Sequence, residues 1–191
     1  MKISTTPIKD LLLITSDAYI DNRGSFSRVW CAEAFEKQQL KTQFVQSSIC
    51  HNDKKGTIRG LHFQWPPSNE GKLVRCVNGS VYDVAVDLRP DSATFTQHFA
   101  LTLNSAQNNA LYIPAGFAHG YQTLVDNSLL LYMMSDTYQP KLAGGVHYND
   151  KTFAIDWPLP ITRISERDEN NLDFDMNFYI SKYNQANTRD L

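Results

Sequence analysis

Three ingredients of proton transfer at carbon lie on strand-like runs of this sequence: two histidines, His62 and His119, a lysine, Lys72, and a tyrosine, Tyr132. Histidine titrates near neutrality, so it can remove a proton from a carbon that a neighbouring ketone acidifies. A cation held near the ketone oxygen stabilises the developing enolate. A phenol on the opposite side can return a proton to the other face, which inverts the centre. Spacing by itself leaves other readings open. A lone histidine is more often half-buried and hydrogen-bonded than catalytic. A tyrosine inside an apolar strand is usually a core residue whose hydroxyl finds a partner. Histidines on a β-barrel can also hold iron or zinc, which is the obvious competing chemistry.

The stretch Gly56-Thr57-Ile58-Arg59-Gly60-Leu61-His62-Phe63-Gln64 must position the first of these groups. Its β-branched and aromatic neighbours read as a strand. Alternation then puts His62 and Gln64 on one face and Leu61 and Phe63 on the other, as expected where a sheet has a cavity side and a packed side. Gln64 stands where a metal site would offer the second histidine of a His-x-His pair, so no metal is expected.

From Ile58 to Met134 strand follows strand, with turn residues at Pro66–Asn69, Asn78-Gly79, Arg89-Pro90-Asp91, Asn104–Asn109, Pro114-Ala115-Gly116 and Asp126-Asn127. Short strands at this spacing, without long helices between them, predict an all-β sandwich or barrel. Val81 to Leu88 is the clearest strand. Its Tyr82, Val84, Val86 and Leu88 make an apolar face; Asp83 and Asp87 share the other, which reads as a wet wall or an exposed outer face. Further strands are expected at Leu11–Ile14, Phe26–Trp30 and Phe44–Cys50, and a helix over Ala32–Leu40. Beyond about Asn177 the chain reads as a polar, loosely ordered tail.

With 191 residues, one domain is the simpler organisation. Hydrophobic residues are 42% and charged residues 20%, ordinary for a soluble globular chain. The net charge of −2 leaves no electrostatic footprint for nucleic acid or an anionic membrane. No apolar run approaches the roughly 20 residues that span a bilayer, and the N-terminus lacks a signal-peptide shape. Cys31, Cys50 and Cys76 are odd in number and lack metal-type spacing, which fits reduced thiols in a cytoplasmic chain.

Several segments together resemble one family. Arg59-Gly60-Leu61-His62-Phe63-Gln64, Gly71-Lys72-Leu73-Val74-Arg75, Asp83-Val84-Ala85-Val86-Asp87-Leu88-Arg89 and Ile113-Pro114-Ala115-Gly116-Phe117-Ala118-His119-Gly120 are similar to the dTDP-4-dehydrorhamnose 3,5-epimerases. The resemblance runs from about Asp21 to Asp168 and includes Tyr132, Tyr138, Asn149-Asp150, Ile155-Asp156-Trp157-Pro158 and Ser165-Glu166-Arg167-Asp168. It implies a cupin-type jelly roll with a few short helices. It also implies a homodimer that exchanges N-terminal strands, no cofactor, and a nucleotide-linked 4-keto-6-deoxyhexose as substrate.

In that reading His62 is the base and Asp168 orients it. Lys72 stabilises the enolate oxygen and Tyr132 is the acid on the opposite face. Arg59, with Arg23 and Arg167, holds the diphosphate, since a guanidinium suits phosphate oxygens. Tyr138 and Phe26 contact the nucleotide, Gln46 contacts the base, and His119 and Asp83 complete the cavity wall. The chain departs from the family pattern at Arg28, along Gln46-Ser47-Ser48-Ile49-Cys50 and at Leu142-Ala143-Gly144. The proton machinery is intact. The nucleotide, dTDP or CDP, and the inversion of C3, C5 or both stay open at this stage.

Overall fold

Short alternating runs separated by turn residues favour extended pairing over helix. The computed structural model describes residues 1–187. Two antiparallel sheets face each other. The six-stranded sheet runs in the order β1 (Lys2–Thr5), β2 (Leu12–Thr15), β10 (Asn109–Ile113), β7 (Lys72–Asn78), β12 (Ser128–Met134), β5 (Gln46–Asn52). The five-stranded sheet runs β13 (Ala143–Gly145), β6 (Ile58–Gln64), β11 (Phe117–Thr123), β8 (Ser80–Asp87), β9 (His98–Asn104). A hairpin of β3 (Ala18–Asp21) and β4 (Gly24–Ser27) joins neither sheet. The helices are short: α1 (Ala32–Glu36), α2 (Glu166–Glu169) and α3 (Met176–Asn187). This is the all-β jelly-roll sandwich that the pattern predicts. No helix among the described residues is long and apolar enough to cross a membrane.

Strand alternation distributes the apolar residues over three layers. Between the sheets lie Val74, Cys76, Leu111, Ile113 and Leu130 from one side and Val81, Ala85, Leu103, Phe117 and Tyr121 from the other. Burial there pushes the Cys76 thiol up to about 11. Leu61, Phe63, Val84, Val86 and Ala118 point outward from the five-stranded sheet and are covered by Val146, Phe153, Ile155 and Tyr179. Ile14, Leu73, Ala110 and Tyr112 point outward from the six-stranded sheet under Phe35, Trp30 and Phe44. The packed side expected of Leu61 and Phe63 is therefore real, and His62 faces the other way.

Four local expectations are corrected. Helix α1 ends at Glu36 rather than Leu40, because the chain turns through Gln39 at φ +56° and tucks Leu40 under the sheet. The strand expected over Phe26–Trp30 stops at Ser27, after which Trp30 turns in against Phe35 and Phe44. The supposed tail is helical from Met176 to Asn187, and Thr188–Leu191 lie outside the described residues. The helix is fastened chiefly by Tyr179, which packs on Phe63, Trp65 and Phe174, with Tyr183 stacked beside it and Lys182 4.3 Å above the Trp65 ring. A mostly polar run with two spaced tyrosines reads as a tail until the sheet supplies the aromatic floor.

The fourth concerns Asp83 and Asp87. Their face is neither wet nor exposed, for both are fully withdrawn from solvent. Asp87 accepts hydrogen bonds from Arg89 Nε at 2.9 Å, Arg89 Nη2 at 2.8 Å, Ser92 Oγ at 2.6 Å and Thr94 Oγ1 at 2.7 Å. Burial alone would raise its pKa, but these donors outweigh burial and hold the carboxyl below the usual range. Asp87→Ala removes the acceptor shared by Arg89, Ser92 and Thr94, while Arg89 keeps Asp10 Oδ2 at 2.7 Å and the Lys9 carbonyl oxygen at 2.8 Å, so urea unfolding should show a loss of about 2 kcal/mol. A loss below about 1 kcal/mol would mean that the cluster is solvated.

Candidate active site

The site begins where β6 and β11 come together. Gly60 has φ +124°, and a Cβ there would lie 2.6 Å from Gly120 Cα and 2.8 Å from the His119 carbonyl oxygen. Only glycine permits that approach. It places His62 directly opposite His119 in the ladder, with a register shift before Tyr121.

His62 Nε2 lies 2.6 Å from Asp168 Oδ1, although 106 residues separate them in sequence. Asp168 is carried on α2, where Ser165 Oγ accepts the Asp168 N–H at 3.1 Å as the helix cap. Its other oxygen, Oδ2, accepts the Gly60 N–H at 3.2 Å. The Asp168 side chain is 5% exposed and that of His62 is 44% exposed. Burial would raise the Asp168 pKa. The hydrogen bond and charge of His62, then Gly60 N–H and Ser165, hold it below the usual carboxylate value instead. An ionised carboxylate only accepts, so in the neutral imidazole Nε2 would carry the proton and Nδ1 the lone pair. The carboxylate thus fixes the orientation of the imidazole.

His62, Lys72, Tyr138 and Arg167 line one cavity of about 150 Å³, together with Phe63, Gln64, Glu70, Ala143 and Gly144. Lys72 shares the inward face of β7 with Val74 and Cys76. The loop that carries Tyr138 is held from two sides: Gln46 Oε1 accepts the Tyr138 N–H at 2.7 Å, and Gln64 Oε1 accepts the Gln139 N–H at 2.7 Å. At Gly144 a Cβ would meet the Phe63 ring at 2.6 Å, so this wall is built from backbone and aromatic face rather than from a polar side chain.

Deeper between the sheets, His119 Nε2 lies 2.9 Å from Asp83 Oδ1. The His119 ring meets the Tyr132 ring edge-on at 5.8 Å, across from one sheet to the other. Burial first, then the neighbouring Tyr121, Asp83 and Cys50, push the Tyr132 phenol well above its ordinary value. Tyr132 therefore keeps its proton. Arg59 Nε donates to Asn52 Oδ1 at 2.9 Å, and the same oxygen accepts from the Tyr121 hydroxyl at 3.0 Å.

A family model described as dTDP-4-dehydrorhamnose 3,5-epimerase matches residues 5–175. The chain belongs to the dTDP-4-dehydrorhamnose 3,5-epimerase family. It is 36% identical over 182 residues to a Shigella flexneri protein of that name, which covers 94% of this chain and 100% of that protein. Among solved structures, a Legionella pneumophila epimerase in complex with dTDP-4-keto-L-rhamnose superposes with a TM-score of 0.86 at 35% identity, over 92% of this chain and 93% of that one. A 4-keto-6-deoxy sugar epimerase, NovW, from the novobiocin gene cluster of Streptomyces spheroides gives 0.88 at 31% identity, over 95% and 90%.

In this epimerase-family chain the fold assembles most of the residues that the sequence pointed to. His62, Lys72, Tyr138 and Arg167 share the cavity, with Asp168 behind His62. His119, Asp83 and Tyr132 form a contact chain between the sheets. Gln46 touches the site through Tyr138, with its oxygen committed to that loop. Arg59 is exposed and anchored on Asn52. Arg23 and Phe26 do not join them. They sit on the β3–β4 hairpin, where Arg23 Nη2 pairs with Asp21 at 2.6 Å and Phe26 is 72% exposed. Sequence reasoning missed Asn52, and it missed Glu70. The signal for Glu70 was present, because residues two apart entering a strand share a face.

Proposed function

We propose that the chain inverts C3 and C5 of a nucleotide-linked 4-keto-6-deoxyhexose, as a dTDP-4-dehydrorhamnose 3,5-epimerase does. The observation that carries this reading is the oriented His62–Asp168 pair beside Lys72 at one cavity, while a protonated Tyr132 on the opposite sheet meets His119, the ladder neighbour of His62. His62 removes the proton beside the C4 ketone through Nδ1, and Asp168 stabilises the imidazolium that forms. Lys72 donates to the enolate oxygen. Tyr132 returns a proton from the other face. His119, paired with the buried Asp83 behind the cavity, fixes the Tyr132 ring. Arg59 and Arg167 hold the diphosphate, and Tyr138 stacks on the nucleotide.

The described chain acts as one catalytic unit, and the working enzyme is a homodimer. Support comes from the hairpin. β1 and β2 pair with each other in their own sheet, whereas β3–β4 stands apart with Tyr19, Ile20 and Phe26 at 78%, 81% and 72% exposure. Covering that apolar surface with a second copy delivers Arg23 and Phe26 to the partner's nucleotide, which explains why they do not reach the site of their own chain.

The test is proton NMR of dTDP-4-keto-6-deoxyglucose, and separately its CDP counterpart, incubated with the protein in deuterium oxide. Deuterium at C3 and C5 of the dTDP sugar is the expected result. Label at one carbon only would make the chain a mono-epimerase. No label from either sugar would overturn the reading.

A further inference from the structure

Glu70 lies beside the proposed chemistry with no part in it so far. Its Oε2 forms an ion pair with Lys72 Nζ, and the two side chains are 8% and 15% exposed. Both line the cavity of His62 and Tyr138. Oε1 of Glu70 accepts no hydrogen bond among the described residues, so the carboxylate is committed to the lysine alone.

The backbone that carries Glu70 is stapled on both sides. Asn69 N–H donates to Asp136 Oδ2 at 3.0 Å, Gly71 N–H donates to Ser135 Oγ at 2.8 Å, and Ser135 N–H donates to the Gly71 carbonyl at 2.9 Å. A carboxylate on so rigid a base has little freedom to follow its partner. The lysine, on a flexible four-carbon stem, comes to it. One of three ammonium donors is thereby taken, and two remain for an oxygen in the cavity.

We propose that Glu70 is a positioning residue, which fixes the Lys72 ammonium where the enolate oxygen develops. The inference rests on the epimerase reading above. Without Glu70 the lysine keeps its charge but loses the carboxylate that selects one of its rotamers. It then stabilises the enolate in only a fraction of encounters. The effect belongs to the chemical step, since neither residue is placed on the nucleotide.

The test is E70Q, which keeps the side-chain size and removes the charge. With the keto sugar that wild type turns over, kcat should fall about tenfold, with KM changed by less than about twofold, the scale on which lost alignment acts. In a K72A background E70Q should cost no further activity, because Glu70 acts through Lys72. A purely structural role would lower activity in both backgrounds. An unchanged kcat in E70Q, or a further tenfold loss in K72A, overturns the proposal. The pairing is read separately from turnover by ¹⁵N NMR of the lysine ammonium groups. One signal protected from water exchange is expected in wild type, absent in K72A and shifted or lost in E70Q. A missing signal in wild type, or one unmoved in E70Q, overturns the pairing. Failure of wild type to exchange any keto sugar overturns the epimerase reading instead.

Discussion

His62→Ala is expected to slow deuterium uptake at both C3 and C5 by about 10³-fold, within the range over which a positioned general base acts. One base serves both carbons in this reading, so both labels should vanish together. Binding should hardly change, because the residues assigned to the diphosphate and nucleotide, Arg59, Arg167 and Tyr138, do not depend on the imidazole. The substitution leaves Asp168 with Gly60 N–H and Ser165 as its partners. Some loss of stability is therefore expected. His62→Asn separates that loss from catalysis, for its amide can still reach the carboxylate while offering no base. Deuterium uptake at a normal rate in either variant would place the base elsewhere.

Tyr132→Phe should split two processes that are joined in the native protein. The ring stays, and with it the edge contact to His119 at 5.8 Å. Only the hydroxyl is lost. His62 can still remove the proton and exchange it with solvent, so deuterium should enter the substrate. Return from the opposite face is impaired, and formation of inverted product should fall about 10²-fold. The measurement is NMR of the same reaction, scoring label and configuration separately. Inversion at the native rate would show that the acid is another group. The raised pKa of the native phenol points the same way: a tyrosine that keeps its proton is a donor, not a base.

The alternation in β6 and β8, and the turn residues between strands, were enough to determine an all-β sandwich or barrel and to place His62 on the side away from Leu61 and Phe63. Runs of two-residue period specify which side chains share a side whatever the rest of the chain does. Composition in the same way excluded a long apolar span. The family was legible from ordered motifs around Arg59, Lys72, Asp83 and His119.

The tertiary structure decided how those residues meet. The family resemblance implied the His62–Asp168 pair, and the structure makes it by packing α2 against β6, between positions that local periodicity cannot relate. The face of Asp83 and Asp87 looked wet because two acids imply water. It is dry because the loop just after Asp87 folds its Arg89, Ser92 and Thr94 back onto that carboxylate, while His119 on the neighbouring strand meets Asp83 Oδ1 and Asp83 Oδ2 stays buried without a partner among the described residues. The segment after Asn177 looked unable to fold alone. In the fold it is a helix whose Tyr179 packs on Phe63, Trp65 and Phe174. The chain's alternation specifies faces, whereas partners across the sandwich come from packing, since burial and charge pairing are settled only when distant strands close on one another.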